Sequence, residues 1–268
     1  MSATRIATIP LIGPYDLREV ALMGFGHRDE RSFDGVMRLA FCVDGTQQHA
    51  GVEVRQDGDR LDLVVHGDAP LQAVRDQVAR IVSADHDGDA WARVCAADAV
   101  LSRVHAAAPG FRPSNFPSSY EAALRAIISA RSGRAQSIAL RRRLSEAHGT
   151  VFTLAGRSEA AAPTPAALLG MDGFPGLPAD RIPRLHAVAR AAMDGRLDVP
   201  YLTGMPPEAA MAELQTLPGI GPFYSALIVI RAYGLTDVLS TQEDHSRSAV
   251  RAFYHLDHDP DDAELERI

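Results

Sequence analysis

The segment Leu217-Pro218-Gly219-Ile220-Gly221 constrains the fold of this 268-residue chain more than any other part of the sequence. It lies between a short amphipathic run that opens with Pro206-Pro207 and an apolar run, residues 222–233, that ends before Gly234. Proline is tolerated in the first turn of a helix and glycine favours its end, so both runs are predicted to be helices. Two glycines around an isoleucine permit a sharp turn and a close approach of bare backbone. The sequence therefore predicts two helices joined by a tight hairpin.

The predicted hairpin is a candidate anion site. Pro222 would occupy the first turn of the second helix, whose N-terminus presents unpaired N–H groups and the positive end of the helix dipole. A nucleic-acid phosphate suits such a site, although an ordinary αα-hairpin inside a helical core has the same local pattern. Two adjacent carboxylates downstream, Glu243 and Asp244, favour the functional interpretation.

The charge of the chain is unevenly distributed. The net charge is −7, but residues 111–256 carry +3 while residues 1–110 and 257–268 carry −5 each. The hairpin thus lies in the basic part, as expected for a phosphate-contacting domain on an acidic support, although chance patterning would also explain so modest an excess. All 27 basic residues are arginine, which excludes catalysis through a Schiff base on a lysine side chain.

The sequence contains no apolar run long enough to span a membrane, and its first ten residues lack the layout of a signal peptide. These two observations predict a cytoplasmic protein without a membrane partner.

The hydrophobic periodicity divides the chain into two predicted domains. Residues 1–110 read as an α+β domain, with strands at 32–44, 49–54 and 60–66 joined by Asp-Gly turns into an antiparallel sheet, and helices at 70–82 and 90–107. Residues 111–268 read as an all-α domain, so the chain is mainly α overall. Its predicted helices, besides the hairpin pair, are residues 118–128, 134–148, 164–169, 183–193 and 246–254. The acidic cluster at 85–89 lacks the spacing of a calcium loop and is interpreted as a helix N-cap.

Taken together, these motifs resemble those of a known family. The run from Phe116 to Ile128, the hairpin at 217–221, and Asp237-Val238-Leu239 before an acidic residue are similar to the helix-hairpin-helix (HhH-GPD) DNA glycosylases. Within that superfamily the chain is most similar to the DNA-3-methyladenine glycosylase II branch. The resemblance covers nearly the whole chain.

The resemblance implies a set of binding residues. The phosphate cradle would be Pro218, Gly219, Ile220, Gly221 and Pro222, with a monovalent cation on the carbonyl groups of Gln215, Leu217 and Ile220 and with no cofactor. The partner would be double-stranded DNA containing a damaged base, bound by a monomer. The damaged nucleotide would be flipped out of the duplex, because its glycosidic bond cannot be reached inside the stack. Its base would enter a pocket formed by Phe223, Tyr224 and Leu227, although each of these side chains also suits a helical core.

The resemblance also implies a catalytic carboxylate. An ungapped count from Asp237 places the family's aspartate at Glu243, and a one-residue insertion would place it at Asp244. Either carboxylate could stabilise the positive charge that develops on the sugar, or orient the attacking water. The alternative is that both residues only cap a helix beginning near Ser246.

The chain departs from the family pattern in three places. Phe223 occupies the position at which relatives with lyase activity carry lysine. Ala130 and Arg131 occupy the positions of the family's glutamine and of the apolar wedge that fills the gap left by a flipped base, a gap that an arginine could fill by stacking. The chain also ends before the family's closing helix.

The sequence therefore predicts a monofunctional DNA glycosylase of base excision repair, without lyase activity, that excises alkylated purines such as 3-methyladenine. The alternative is a catalytically impaired helix-hairpin-helix protein that recognises distorted DNA. A helical protein whose hairpin contacts no DNA is a third interpretation.

Overall fold

An antiparallel sheet forms the N-terminal part of the protein. The computed structural model describes residues 4–23, 32–235, 238 and 244–268, with only the backbone of Asp244. Its main sheet has the strand order β1-β4-β3-β2, and all three neighbouring pairs are antiparallel. The four strands are β1 (Arg5–Pro10), β2 (Met37–Cys42), β3 (His49–Asp57) and β4 (Arg60–His66).

Both predicted Asp-Gly turns are confirmed. Gly58 joins β3 to β4 with φ +59°, and Gly45 lies between β2 and β3 with φ +66°. A left-handed backbone is accessible to glycine at little cost, which explains the position of both residues. The strand bounds differ from the predicted ones, because β2 begins at Met37 rather than residue 32 and β3 continues to Asp57.

Short helices complete the N-terminal part: α1 (Leu17–Leu22), α2 (Leu71–Ile81), α3 (Gly88–Ala96) and α4 (Ala99–Ala107). The prediction of one helix over 90–107 is wrong, because the Asp98 carboxylate accepts hydrogen bonds from Val100 N and Leu101 N and starts a second helix. The interpretation of the acidic cluster as a cap is confirmed, since Asp87 caps α3 through the amides of Asp89 and Ala90.

Helices dominate the rest of the described chain. They are α5 (Ser119–Ser129), α6 (Arg134–His148), α7 (Pro165–Leu169), a 3₁₀ turn (Ala179–Arg181), α8 (Ile182–Met193), α9 (Val199–Thr203), α10 (Pro207–Gln215), α11 (Pro222–Tyr233), α12 (Asp244–Tyr254) and α13 (Asp262–Leu265). A two-stranded hairpin of β5 (Val151–Leu154) and β6 (Arg157–Ala160), which the sequence analysis did not predict, follows α6. The α+β region followed by a helical region confirms the predicted fold class.

Two clusters of buried apolar side chains support these parts. One joins the sheet to α2 and includes Phe41, Leu61, Leu63, Val74 and Val78. The other surrounds α5, which is buried on nearly every side and packs against α8 and α11. The boundary at residues 110 and 111 stays a prediction. No helix in the described ranges combines the length and hydropathy that a membrane span requires.

Candidate functional site

The predicted hairpin joins α10 to α11 and projects its tip outward. Ile220 N donates to Leu217 O at 3.0 Å, which closes the turn, and Gly219 adopts φ +96°. Leu217 and Ile220 are buried in the helical core, whereas Pro218 and Gly219 are exposed. The two apolar side chains thus anchor the turn while the bare backbone between them faces solvent.

The tip carries amide donors without an internal acceptor. Gly221 is the N-cap of α11, and no side chain caps this helix. Within the described ranges, the amides of Gly219, Gly221 and Phe223 donate to no protein acceptor, while Ser225 N donates to Gly221 O at 2.9 Å. A Cβ built at Gly221 would meet no atom within 4 Å, so the backbone is open at this point. Free amides at a helix N-terminus are suited to an anion.

An arginine that the sequence analysis missed lies against the hairpin. A Cβ built at Gly219 would lie 3.2 Å from Arg184 Cδ and 3.6 Å from Ile127 Cγ1. Arg184 belongs to the first turn of α8 and pairs with Asp180 at 3.0 Å in an exposed i,i+4 arrangement. Such a surface pair contributes little to stability, so the guanidinium can exchange its partner for another anion at low cost. No periodicity in the sequence places Arg184 beside Gly219, because the two meet only through the packing of α8 against α5.

The carbonyl groups suggested for a monovalent cation fit that role by their chemistry. Leu217 O accepts one hydrogen bond from Ile220 N. Among the described residues, no backbone N–H outside the regular helices donates to the carbonyl group of Gln215 or Ile220. A carbonyl oxygen retains a second lone pair, so all three groups could coordinate a hard cation.

The three predicted pocket residues lie on one side of the first two turns of α11. Phe223 is 38% exposed, and its ring meets the Tyr224 ring edge to face at a centroid distance of 5.2 Å. Tyr224 and Leu227 are half-buried and pack against the helical core, so both also serve as core residues. Phe223 is thus the member of this group that presents an aromatic surface to solvent.

Two arginines of the neighbouring helices interact electrostatically with Tyr224, and the sequence predicted a role for neither. The Arg125 guanidinium lies 5.7 Å from the centroid of the Phe116 ring. Arg141 is buried and donates to Ser129 Oγ at 2.7 Å. Burial lowers the pKa of both guanidinium groups, and burial together with the nearby charge of Arg125 lowers the pKa of Arg141 to about 10. The region between α5, α6 and α11 is therefore electropositive.

The turn after α5 carries the residues that align with the family's glutamine and wedge. Ser132 N donates to Ser129 O at 3.1 Å, Ala130 has φ −53° and ψ 126°, and Arg131 has φ +52°. These angles define a type II turn, in which the third position usually carries glycine. Arg131 is exposed.

The candidate carboxylates lie at the edge of the described structure. Glu243 and Asp237 fall outside the described residues, and Asp244 is described only as the first residue of α12. The expected start of this helix near Ser246 is therefore two residues too late. Elsewhere in the described chain, no group of three or more His, Cys, Asp or Glu side chains is arranged to hold a metal ion.

The comparisons with known proteins bear on the fold. No protein-family model and no curated protein matches the sequence. Among solved structures, the chain is similar to the 3-methyladenine DNA glycosylase from Archaeoglobus fulgidus, with a TM-score of 0.76 and 20% identity over 98% of this chain and 91% of the other. It is also similar to the apo form of the 8-oxoguanine glycosylase/lyase from Clostridium acetobutylicum, with a TM-score of 0.70 and 18% identity over 100% of this chain and 90% of the other. At such identities the likeness concerns the fold, and on that basis the chain has the fold of the helix-hairpin-helix DNA glycosylases.

Proposed function

We propose that this protein is a monofunctional DNA glycosylase that hydrolyses the N-glycosidic bond of alkylated purines, such as 3-methyladenine, in double-stranded DNA. The observation that carries the proposal is the exposed hairpin tip with unpaired amides, in a chain that shares its fold with DNA glycosylases. A solved complex of the Clostridium acetobutylicum enzyme with double-stranded DNA has the same fold, with a TM-score of 0.66. Its activity supports the general class of base excision, and the choice of lesion rests on the pocket residues.

The hairpin would bind a backbone phosphate next to the damaged nucleotide. The Gly219 and Gly221 amides would donate to the phosphate oxygens, and the dipole of α11 would add a favourable charge interaction. Arg184 lies beside the same tip and would contribute a charge-assisted contact. Such contacts fix the register of the protein on the duplex and carry no sequence information.

The reaction needs one carboxylate near the deoxyribose of the flipped nucleotide. Glu243 is the first candidate and Asp244 the second. The negative charge of the catalytic carboxylate would stabilise the oxocarbenium character of the sugar as the glycosidic bond breaks, and the carboxylate would orient the water that attacks C1′. An alkylated purine carries a positive charge and leaves as a neutral base, so it needs little further help from the protein.

Phe223 supports both the absence of lyase activity and the choice of an alkylated base. A lyase step through a Schiff base requires an amine nucleophile, and the chain contains no lysine side chain to supply it. The exposed Phe223 ring offers an electron-rich face, which attracts a cationic base by a cation–π interaction of about 0.5–2 kcal/mol. Arg125 and Arg141 disfavour a cationic base, because they raise the positive potential around Tyr224.

A base-release assay tests the proposal. Duplexes that contain 3-methyladenine, 7-methylguanine or 8-oxoguanine are incubated with the wild-type protein and with the Glu243→Gln and Asp244→Asn variants. We expect release of the methylated purines, at least a hundredfold loss of rate in one variant, and no adduct trapped by borohydride. Binding to the damaged duplex without release of any base would instead support the catalytically impaired DNA-binding protein. Preferential release of 8-oxoguanine would refute the assignment of alkylated purines and leave the glycosylase class intact.

A further inference from the structure

The type II turn after α5 places a non-glycine residue in a strained conformation. Arg131 adopts φ +52°, in the left-handed region that L-residues avoid. Its side chain is exposed, and within the described chain it forms no hydrogen bond or ion pair that would compensate for the strain. Glycine or asparagine would occupy this position at lower cost. The arginine therefore contributes nothing visible to the stability of the turn that holds it.

A second arginine stabilises this turn from inside the protein. Arg181, at the end of the 3₁₀ turn before α8, is only 8% exposed. Its Nη1 donates to Ile128 O at 2.5 Å and lies 3.5 Å from Ser132 Oγ, and its Nη2 donates to Ala130 O. Among the described residues no carboxylate pairs with Arg181, so its guanidinium serves the carbonyl group of Ile128, just before the turn, and that of Ala130, within it. Removing it would leave the carbonyl group of the buried Ile128 without this donor, while Ala130 O would keep only the Ser132 hydroxyl at 3.4 Å.

The turn and the hairpin tip are neighbours. Ile127, which lies within 4 Å of a Cβ built at Gly219, precedes Arg131 by one helical turn on the same chain segment. Arg184, which lies against the same glycine, belongs to the first turn of α8, and Arg181 is the N-cap of that helix. A duplex whose phosphate is bound at the tip would therefore pass close to the exposed Arg131 side chain.

We propose that Arg181 is a positioning residue that holds Arg131 in its strained conformation, so that the Arg131 guanidinium enters the base stack beside the flipped nucleotide. The inference rests on the proposed function. Strained residues persist where the surrounding structure over-determines them, and the buried guanidinium of Arg181 provides that constraint. A planar guanidinium can stack on the bases that border the gap, and its charge is attracted to the flanking phosphates.

The test separates the stability of the turn from its action on DNA. The readouts are the Tm of each variant, its Kd for an abasic-site duplex, and the fluorescence of 2-aminopurine placed beside the lesion, which rises when neighbouring bases unstack. For Arg131→Gly we expect an unchanged or higher Tm, because the strain is relieved, and a loss of at least tenfold in the rate of unstacking. For Arg181→Met we expect the same loss of unstacking together with a lower Tm. Arg181→Lys, which can reach only some of the same carbonyl groups, should give intermediate values.

The double variant decides whether Arg181 acts through Arg131. If it does, Arg181→Met causes no further loss of unstacking in the Arg131→Gly background, because the side chain to be positioned is already absent. Independent, multiplicative losses of the unstacking rate would overturn the inference, as would a normal unstacking rate in folded Arg181→Lys.

The matched control is Arg190→Met, which changes an exposed arginine two turns further along α8 and should match the wild type in all readouts. A wild-type protein that neither unstacks nor releases a base would refute the proposed function, whereas an active wild type with unaffected Arg181 variants would refute only this inference.

Discussion

Single residues determine the backbone conformation and the surroundings of the hairpin tip. Gly219 combines a left-handed backbone with a close neighbour, since a Cβ there would lie 3.2 Å from Arg184 Cδ. The sequence alone predicted a sharp turn at this glycine, because two glycines around an isoleucine lie between two runs that begin with proline and are predicted to be helices. It could not predict Arg184 or Arg181, because about 35 residues separate them from the hairpin and only the packing of α8 against α5 brings them together.

We predict that Gly219→Ala weakens DNA binding more than it weakens the fold. The left-handed conformation costs an alanine about 1–2 kcal/mol. The new methyl group would lie 3.2 Å from Arg184 Cδ and would push this side chain away from the tip by a few tenths of an ångström. Urea unfolding and titration of an abasic-site duplex measure the two effects. Gly173→Ala is the control, because a Cβ at Gly173 would meet no atom within 4 Å and its φ is not positive. Equal losses of affinity in both variants would show that the tip does not contact DNA.

At the scale of elements, the helices of the hairpin were predictable and the β5–β6 hairpin was not. Residues 222–233 were predicted and observed as one helix, because Pro222 starts it and Gly234 ends it in the left-handed conformation. The β5–β6 hairpin was missed, since its strands have only four residues each and its pairing depends on contacts with the main sheet. One such contact is the Phe152 ring, which covers Gly51 of β3.

We therefore expect Gly51→Ala to destabilise the protein through a steric clash. A Cβ at Gly51 would lie 2.5 Å from Phe152 Cγ, and overpacking of this kind typically costs about 1–3 kcal/mol. Urea unfolding of Gly51→Ala, Phe152→Ala and the double variant provides the measurement. The double variant should lose less free energy of unfolding than the sum of the single variants, because the smaller side chain removes the ring atoms from the clash and leaves only the Cβ at 2.9 Å. Additive losses would show that the two residues do not compete for space.

For the molecule as a whole, a polar seam joins the sheet to the helical region. Glu121 of α5 accepts a hydrogen bond from Cys42 N at 2.9 Å, and Gln77 of α2 donates to Pro117 O at 3.0 Å. Asp44, next to this seam, pairs with Arg80. Burial raises the pKa of the Asp44 carboxyl to about 6, despite the opposing effect of Arg80. Such a seam is invisible in the sequence, since its members come from β2, α2 and α5 and from the segments beside them.

The raised pKa of Asp44 predicts a pH dependence of stability. Between about pH 4 and pH 6 the folded protein binds more protons at this carboxyl than the unfolded chain does, so its contribution to the free energy of unfolding falls as the pH rises. The Asp44→Asn variant lacks this dependence and should gain stability relative to the wild type from pH 4 to pH 7. Thermal unfolding of both proteins across that range is the measurement. A difference in Tm between the two proteins that does not change with pH would show that the pKa of Asp44 is the same in the folded and unfolded states.

The contact between Ile127 and the hairpin tip has a mechanical consequence. Ile127, which leads into the turn of Arg131, lies against Gly219, so the separation between that turn and the hairpin tip is fixed by the packing of the protein. In the proposed complex, a duplex that contacts both would deform, and the elastic cost of that deformation would fall on the nucleic acid. Base-pair steps that a poorly stacked lesion weakens would deform first, so the local deformability of the duplex would select binding positions before any base enters the pocket.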